Sequence, residues 1–99
     1  MTREEIAEYN EDAPIYDGLD AAIIGVAERP NLGPVVAYDT EKILSILMED
    51  MEVDESQLDD GESIESAKYL MALEHFEYNI KGGWIGEFTP VFITKSNEQ

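Results

Sequence analysis

Residues 76–93 read FEYNIKGGWIGEFTPVFI and contain the clearest change of backbone period in the chain. Apolar residues at helical spacing lead to Lys81, whose positive charge favours the end of a helix dipole. The pair Gly82-Gly83 then predicts a left-handed helix cap. After this turn, residues 91–93 are good strand formers. We therefore expect the stretch to end a helix, turn, and form the closing β-strand.

A long helix is predicted immediately before this turn. It begins between Asp60 and Ser66 and continues to Lys81, a length of about 18 residues. Its apolar positions recur at steps of three and four residues, and they are Ile64, Ala67, Leu70, Met71, Leu73, Phe76 and Ile80. This periodicity favours an amphipathic helix with an apolar face.

Two short β-strands are predicted nearer the start of the chain. The first is the apolar run at 21–27, in which Gly25 suggests a bulge or a close backbone approach, and the second is 35–38. Turn residues at 29–34 separate them, so we expect an antiparallel hairpin. A helix at about 41–51 follows, because Asp39-Thr40 supplies N-cap candidates before an apolar pattern.

The predicted order of elements is therefore β-β-α-α-β. This order suits the α+β class, with a small antiparallel or mixed three-stranded sheet covered on one face by two helices. We divide the chain into an acidic N-terminal arm, residues 1–14, and a single α+β domain, residues 15–95. Within the domain, an acidic connection at 49–65 joins the two helices.

The chain is strongly acidic, with 23 Asp and Glu against 6 Lys and Arg and a net charge of −17. Such a surface repels nucleic acid and anionic membranes and attracts basic protein surfaces. The charge is densest in the helix connection, whose nine carboxylates we call the acidic set: Glu49, Asp50, Glu52, Asp54, Glu55, Asp59, Asp60, Glu62 and Glu65. The acidic set is the first candidate binding surface, and increased solubility is the alternative explanation of the charge.

Composition excludes several classes of site. The chain has no cysteine and one histidine, His75, which excludes thiolate chemistry and zinc sites built on several histidines. The acidic connection does not fit a calcium-binding loop, because alignment on Gly61 puts Leu58 and Ala67 at ligand positions. The glycine turn follows a helix, whereas a phosphate-binding loop precedes one. We therefore expect no catalytic residue, no metal site and no cofactor.

A second candidate site is a small pocket beside the glycine turn. It would combine polar and aromatic residues next to predicted turns, namely Tyr16, Asp17, Asp20, Asn79, Trp84 and Glu87. Such residues offer stacking, hydrogen bonds and a carboxylate acid or base, which suits a small ligand-binding module or a small enzyme. The alternative is that Trp84 closes the core and Asn79 caps the helix.

Two strings in the sequence are distinctive: YDGLDAAIIGV at 16–26, and FEYN at 76–79 continued by GEFTPVF at 86–92. Together with Tyr38 and Lys42, they resemble a family of small acidic proteins encoded by tailed bacteriophages. The resemblance implies a bacteriophage origin and the host cytoplasm as the location, but no activity. The connection between the helices looks longer and more acidic here than in similar proteins.

Three functional hypotheses follow. The first is a non-enzymatic interaction protein whose acidic set binds a basic surface of a host or phage protein, including the case of a nucleic-acid mimic or inhibitor. The second is the ligand-binding module or small enzyme, and the third is a homo-oligomeric structural protein that uses a sheet edge or the face of Trp84. No direct contact with nucleic acid or with a membrane is expected.

Overall fold

The computed structural model describes residues 1–54, 56, 58, 61, 63–83 and 85–95. The helices are α1 (Arg3–Tyr9), α2 (Thr40–Glu49) and α3 (Ile64–His75), and the strands are β1 (Ile23–Arg29), β2 (Leu32–Asp39) and β3 (Val91–Ile93). A 3-10 turn (Asp20–Ala22) precedes β1, and a π-helical segment (Phe76–Lys81) continues α3. The described residues form two compact units: the sheet unit, Met1–Ile43 with 85–95, and the helical unit, within Leu44–Gly83.

The three strands form one mixed sheet in the order β1-β2-β3, which confirms the predicted α+β class and the β-β-α-α-β order. β1 and β2 form the expected antiparallel hairpin, and its loop contains Asn31 with a φ of 62°. β3 pairs with β2 in parallel, with Phe92 opposite Tyr38. A parallel pair needs a long crossover between its strands, and the chain that includes α2 and α3 supplies it.

Gly25 lies at an irregularity in the hairpin, as its position in the apolar run suggests. The register passes from Ile23 opposite Tyr38 to Gly25 opposite Ala37, so β1 contains one extra residue, Ile24. A Cβ added to Gly25 would meet no atom within 4 Å, so the glycine is not required by close packing. Of the two alternatives suggested for Gly25, the structure therefore supports the bulge and not the close backbone approach.

β2 is the central strand, and its side chains are buried on both of its faces. Val35, Val36, Ala37 and Tyr38 are each at most 4% exposed. A strand with both faces covered reads as a continuous apolar run, because no position needs to be polar. The run at 35–38 follows this pattern.

Tyr38 connects β2 to both β3 and the segment before β1. Its ring centroid lies 6.0 Å from that of Phe92, in a stacked arrangement, and 5.8 Å from that of Tyr16. The backbone N–H of Tyr16 donates a hydrogen bond of 2.8 Å to the hydroxyl oxygen of Tyr38. One side chain therefore supplies apolar contact and satisfies a part-buried backbone donor.

The N-terminal segment contains a capped helix, α1. The Thr2 hydroxyl accepts from the N–H of Glu5 at 3.2 Å, and the Glu5 carboxylate accepts from the N–H of Thr2 at 3.1 Å, a capping box. These hydrogen bonds lower the pKa of Glu5. Ile6 is buried, and Asn10 Nδ2 donates to the carbonyl oxygen of Pro34 at 2.8 Å. α1 is therefore packed within the sheet unit.

α2 begins directly after β2, at the predicted cap. Asp39 Oδ1 accepts from the backbone N–H groups of Glu41 at 3.1 Å and Lys42 at 3.4 Å. Lys95 Nζ lies 3.3 Å from Oδ2 of the same carboxylate. Asp39 thus starts the helix and holds the chain that follows β3.

α3 begins after Ser63, whose hydroxyl accepts from the N–H of Ser66 at 3.1 Å. The prediction that Leu70 and Met71 share the buried face is wrong, because they are 52% and 45% exposed. Buried positions follow later, and they are Ala72, Phe76 and Ile80. Helical spacing shows which side chains share a face, but whether that face is buried depends on which other segments cover it.

The prediction of a left-handed cap at Gly82 is also wrong. Gly82 has φ −76° and ψ −8°, which is right-handed helical backbone. Its N–H donates to the carbonyl oxygen of Glu77 at 3.1 Å, and a Cβ on Gly82 would lie 3.0 Å from that oxygen. The close approach, and not a positive φ, therefore favours glycine at the end of the π-helical segment.

Replacement of Tyr38 by Phe tests the contact with Tyr16. The ring stays, but the N–H of Tyr16 loses its acceptor, so we expect the free energy of unfolding to fall by about 1–2 kcal/mol. Urea unfolding followed by circular dichroism measures this change. Tyr78→Phe is the matched control, because Tyr78 is exposed and should show no change. Equal stability of Tyr38→Phe and the unmodified chain would contradict the assignment.

Candidate functional site

The described members of the acidic set all lie on the surface of the helical unit. Glu49 ends α2, Glu65 lies in the first turn of α3, and Asp50, Glu52 and Asp54 lie in the chain between them. All five are exposed. The remaining four members, Glu55, Asp59, Asp60 and Glu62, lie outside the described residues.

In the described part of the chain, no ion pair involves a member of the acidic set. The sequence of the helical unit contains eleven carboxylates and only two lysines, Lys68 and Lys81. Lys81 lies 3.6 Å from Glu77, which is not a member of the set. Asp54 accepts from the N–H of Ser56 at 2.9 Å, and this bond lowers the pKa of Asp54. The set therefore presents negative charge that its own unit does not neutralise.

A groove of about 470 Å³ lies in the helical unit beside part of the acidic set. Its lining comes from Met48 in the last turn of α2 and from Glu65, Ser66, Tyr69 and Leu70 in α3. The side chains of Tyr69 and Leu70 are both about half exposed to solvent. The groove thus combines apolar side chains that water reaches with one carboxylate of the acidic set.

Sequence reasoning did not find this groove. Leu70 belongs to the predicted apolar face of the long helix, and Met48 belongs to the apolar pattern of the predicted helix at about 41–51, so a buried position was expected for both. The available signal was the succession Tyr69-Leu70-Met71, because a single buried face of a helix cannot accept three adjacent bulky residues. All three are between 45% and 52% exposed, an outcome that depends on which segments pack against the helix.

The second candidate site is divided between the two units. Tyr16, Asp17, Asp20 and Glu87 belong to the sheet unit, whereas Asn79 belongs to the helical unit. The sixth residue, Trp84, lies outside the described residues. None of the described members lines the groove.

Arg3 binds both aspartates of the second candidate site. Its Nε and Nη2 lie 2.7 and 2.9 Å from the two carboxylate oxygens of Asp20, and Nη2 lies 3.0 Å from Oδ1 of Asp17. The bidentate contact lowers the pKa of Asp20 and raises that of Arg3. Sequence reasoning missed Arg3, although it is the only basic residue before Arg29 and is surrounded by acidic residues.

The other members of this site also make local contacts. The ring of Tyr16 packs against Tyr38, and burial raises the pKa of both phenols. The carbonyl oxygen of Glu87 accepts from Arg29 Nη2 at 2.6 Å. These contacts hold the sheet unit together, and a lowered pKa at Asp20 does not favour proton transfer near neutral pH.

Asn79 and His75 lie one turn apart on the exposed side of the helical unit. Asn79 Nδ2 is 3.4 Å from His75 Nδ1. Within the described residues, no group of three or more His, Asp or Glu side chains is arranged to hold a metal ion. Likewise, none of the helices described reaches the length and apolar character needed to cross a bilayer.

Replacement of Arg3 by Gln tests the contact with Asp20. Because the folded pKa of Asp20 is depressed, the contact stabilises the fold fully above the unfolded pKa, near 3.8, and is lost as pH falls through the folded pKa. We expect Arg3→Gln to be less stable than the unmodified chain at pH 7, with the difference shrinking below about pH 4. Urea unfolding from pH 7 to about pH 2 measures it.

Lys42→Gln is the matched control for this experiment. It removes the same charge from an exposed lysine that forms no ion pair in the described part of the chain. The difference in the free energy of unfolding between Lys42→Gln and the unmodified chain should not shrink as Asp20 becomes protonated below about pH 4. A difference between Arg3→Gln and the unmodified chain that stays constant down to about pH 2 would show that the Asp20 contact does not stabilise the fold.

Comparison with protein-family models, with curated proteins and with solved structures finds no match to this chain. The resemblance to small acidic bacteriophage proteins therefore stays a prediction.

Proposed function

We propose that this chain is an acidic interaction protein that binds a basic surface of another protein through its acidic set. The observation that carries the proposal is the density of the acidic set, nine carboxylates within residues 49–65, of which all five described members are exposed and lack an ion pair within the described part of the chain. Carboxylates that are already paired would have to exchange partners on binding. Unpaired ones are available to lysine and arginine side chains at once.

The partner in this proposal is a host or phage protein whose basic surface normally binds nucleic acid. Closely spaced carboxylates present negative charge as a phosphate backbone does, so they compete for the same lysines and arginines. The resemblance to bacteriophage proteins supports a target in the host cytoplasm. The protein would then act as a nucleic-acid mimic or inhibitor rather than as an enzyme.

The acidic set alone supplies only part of the binding free energy, because exposed ion pairs are individually weak. An exposed ion pair contributes roughly 0.5 kcal/mol, so nine of them supply about half of the free energy that micromolar binding needs. The set therefore acts mainly on the rate of encounter and on the choice of partner. An additional apolar contact has to supply the rest of the affinity.

The alternatives have weaker support. The aspartates of the second candidate site are bound by Arg3, and its tyrosine belongs to the aromatic cluster around Tyr38. Self-association is opposed by the net charge of −17, which each copy would bring to the interface. A basic partner instead reduces the repulsion among the carboxylates.

Two variants that each lose four negative charges test the proposal. The first neutralises the acidic set by Glu49→Gln, Asp50→Asn, Glu52→Gln and Asp54→Asn. The second is the matched control, which neutralises exposed carboxylates of the sheet unit by Glu8→Gln, Glu11→Gln, Asp12→Asn and Glu28→Gln. Affinity capture from bacterial extract identifies partners of the unmodified chain, and titration calorimetry then compares the three proteins against the purified partner.

The first variant should bind about tenfold more weakly or worse, while the control keeps its affinity. Binding of the unmodified chain should weaken steeply with salt, because exposed charges are screened over a Debye length of about 8 Å at physiological ionic strength. Equal losses in the two variants, or binding that salt does not change, would contradict the proposal.

A further inference from the structure

We infer that the groove receives an apolar side chain of a basic amphipathic segment in the partner, whose lysines or arginines contact Glu65, Glu49 and Asp50. This inference rests on the proposed function and names the chemistry that the partner must have. It assigns to Met48, Tyr69 and Leu70 the apolar contact that the acidic set cannot supply.

The shape and lining of the groove suit a side chain of a protein partner. Its volume of about 470 Å³ accepts one or two large apolar side chains. Met48 supplies a flexible thioether, and such side chains adapt to partners of different shape. Tyr69 supplies a ring and a hydroxyl group, a combination that is enriched at protein interfaces. Leu70 completes the apolar lining.

The exposed side chains of the groove leave apolar surface that an occupant can cover. Tyr69 is 47% exposed and Leu70 is 52% exposed, although both lie on a helix that buries Ala72 and Phe76. Contact of adjacent apolar side chains with water is unfavourable. A partner that covers them removes this surface from water, which favours binding.

The charge around the groove selects the occupant. Glu65 lines the groove itself, and Glu49 and Asp50 follow the lining residue Met48 directly in the chain. Lys68 is the lysine nearest to Glu65 in the sequence, yet the described ion pairs do not join them. An apolar segment with its own acidic groups would be repelled, and a segment with lysines or arginines would be attracted.

The same charge argues against a second copy of this chain as the occupant. Each copy carries −17, so docking one groove onto another would bring like charges together. A neutral small molecule would fill the apolar lining but leave Glu65 without a partner. A basic amphipathic segment satisfies both the apolar and the charged features.

The inference is tested with two labelled peptides of about 14 residues, each about four helical turns long. The first peptide consists of Lys and Leu, with the Leu residues at helical spacing (i, i+3, i+4, i+7) so that they form one apolar face. The second peptide has the same lysines with Ser in place of each Leu. Fluorescence anisotropy measures their binding to the unmodified chain. The Lys/Leu peptide should bind at least about tenfold more tightly, because only it carries apolar side chains for the groove.

Matched variants of α3 locate the binding site. Leu70→Ala should weaken binding of the Lys/Leu peptide about five- to tenfold, whereas Met71→Ala should not, because Met71 is similarly exposed but does not line the groove. Glu65→Gln should weaken binding of the Lys/Leu peptide more than Glu74→Gln, because Glu74 is exposed on the same helix outside the groove. The methyl resonance of Met48 should shift on addition of the Lys/Leu peptide.

The outcomes separate the groove from the acidic surface. If the two peptides bind equally with a steep salt dependence, the groove inference fails and the proposed function stands. If neither peptide binds, the groove inference fails, and the calorimetry of the two four-charge variants decides the proposed function. Equal effects of Leu70→Ala and Met71→Ala also overturn the groove. A concentration-dependent dimer, detected by light scattering and lost in Leu70→Ala, would assign the groove to self-association and overturn the basic partner.

Discussion

The stacking of Tyr38 on Phe92, together with the hydrogen bond that its hydroxyl accepts from the backbone of Tyr16, connects three parts of the chain that are distant in sequence. Tyr38 lies in the central strand, fully buried, with β1 on one side and β3 on the other. Because β3 is only three residues long, its own ladder is short, and the aromatic contact adds to it. Tyr38 thus contributes both packing and a hydrogen bond at the centre of the sheet unit.

The ion pairs of the described residues involve few of the carboxylates and none of the acidic set. In the sheet unit, Arg3 binds Asp17 and Asp20, and Lys95 lies beside Asp39, so these acidic groups stabilise the fold. In the helical unit, the described members of the acidic set take part in no ion pair within the described residues. Exposed carboxylates outside these ion pairs also occur in the sheet unit, and they include Glu8, Glu11, Asp12 and Glu28. What distinguishes the helix connection is the density of its charge, with nine carboxylates within residues 49–65, whereas the aspartates of the turn at 16–20 are bound by Arg3.

Some features were predictable because they depend on neighbours in the sequence. The hairpin, the bulge at Gly25 and the cap at Asp39 all follow from local turn and capping chemistry. The exposure of Leu70 and the pairing of Arg3 with Asp20 were missed. Both depend on which distant side chains arrive at the same place, and helical periodicity or charge counting does not specify that.

By itself the sequence determined the α+β class, the order of the strands and helices, and the concentration of negative charge at 49–65, since each is a property of adjacent residues. Only the tertiary structure decided that β3 pairs in parallel with β2 and that Arg3 forms ion pairs with Asp17 and Asp20. It also decided that Tyr69 and Leu70 line a groove together with Glu65. The physical reason is that a periodic pattern shows which side chains are apolar, whereas burial depends on what other segments cover.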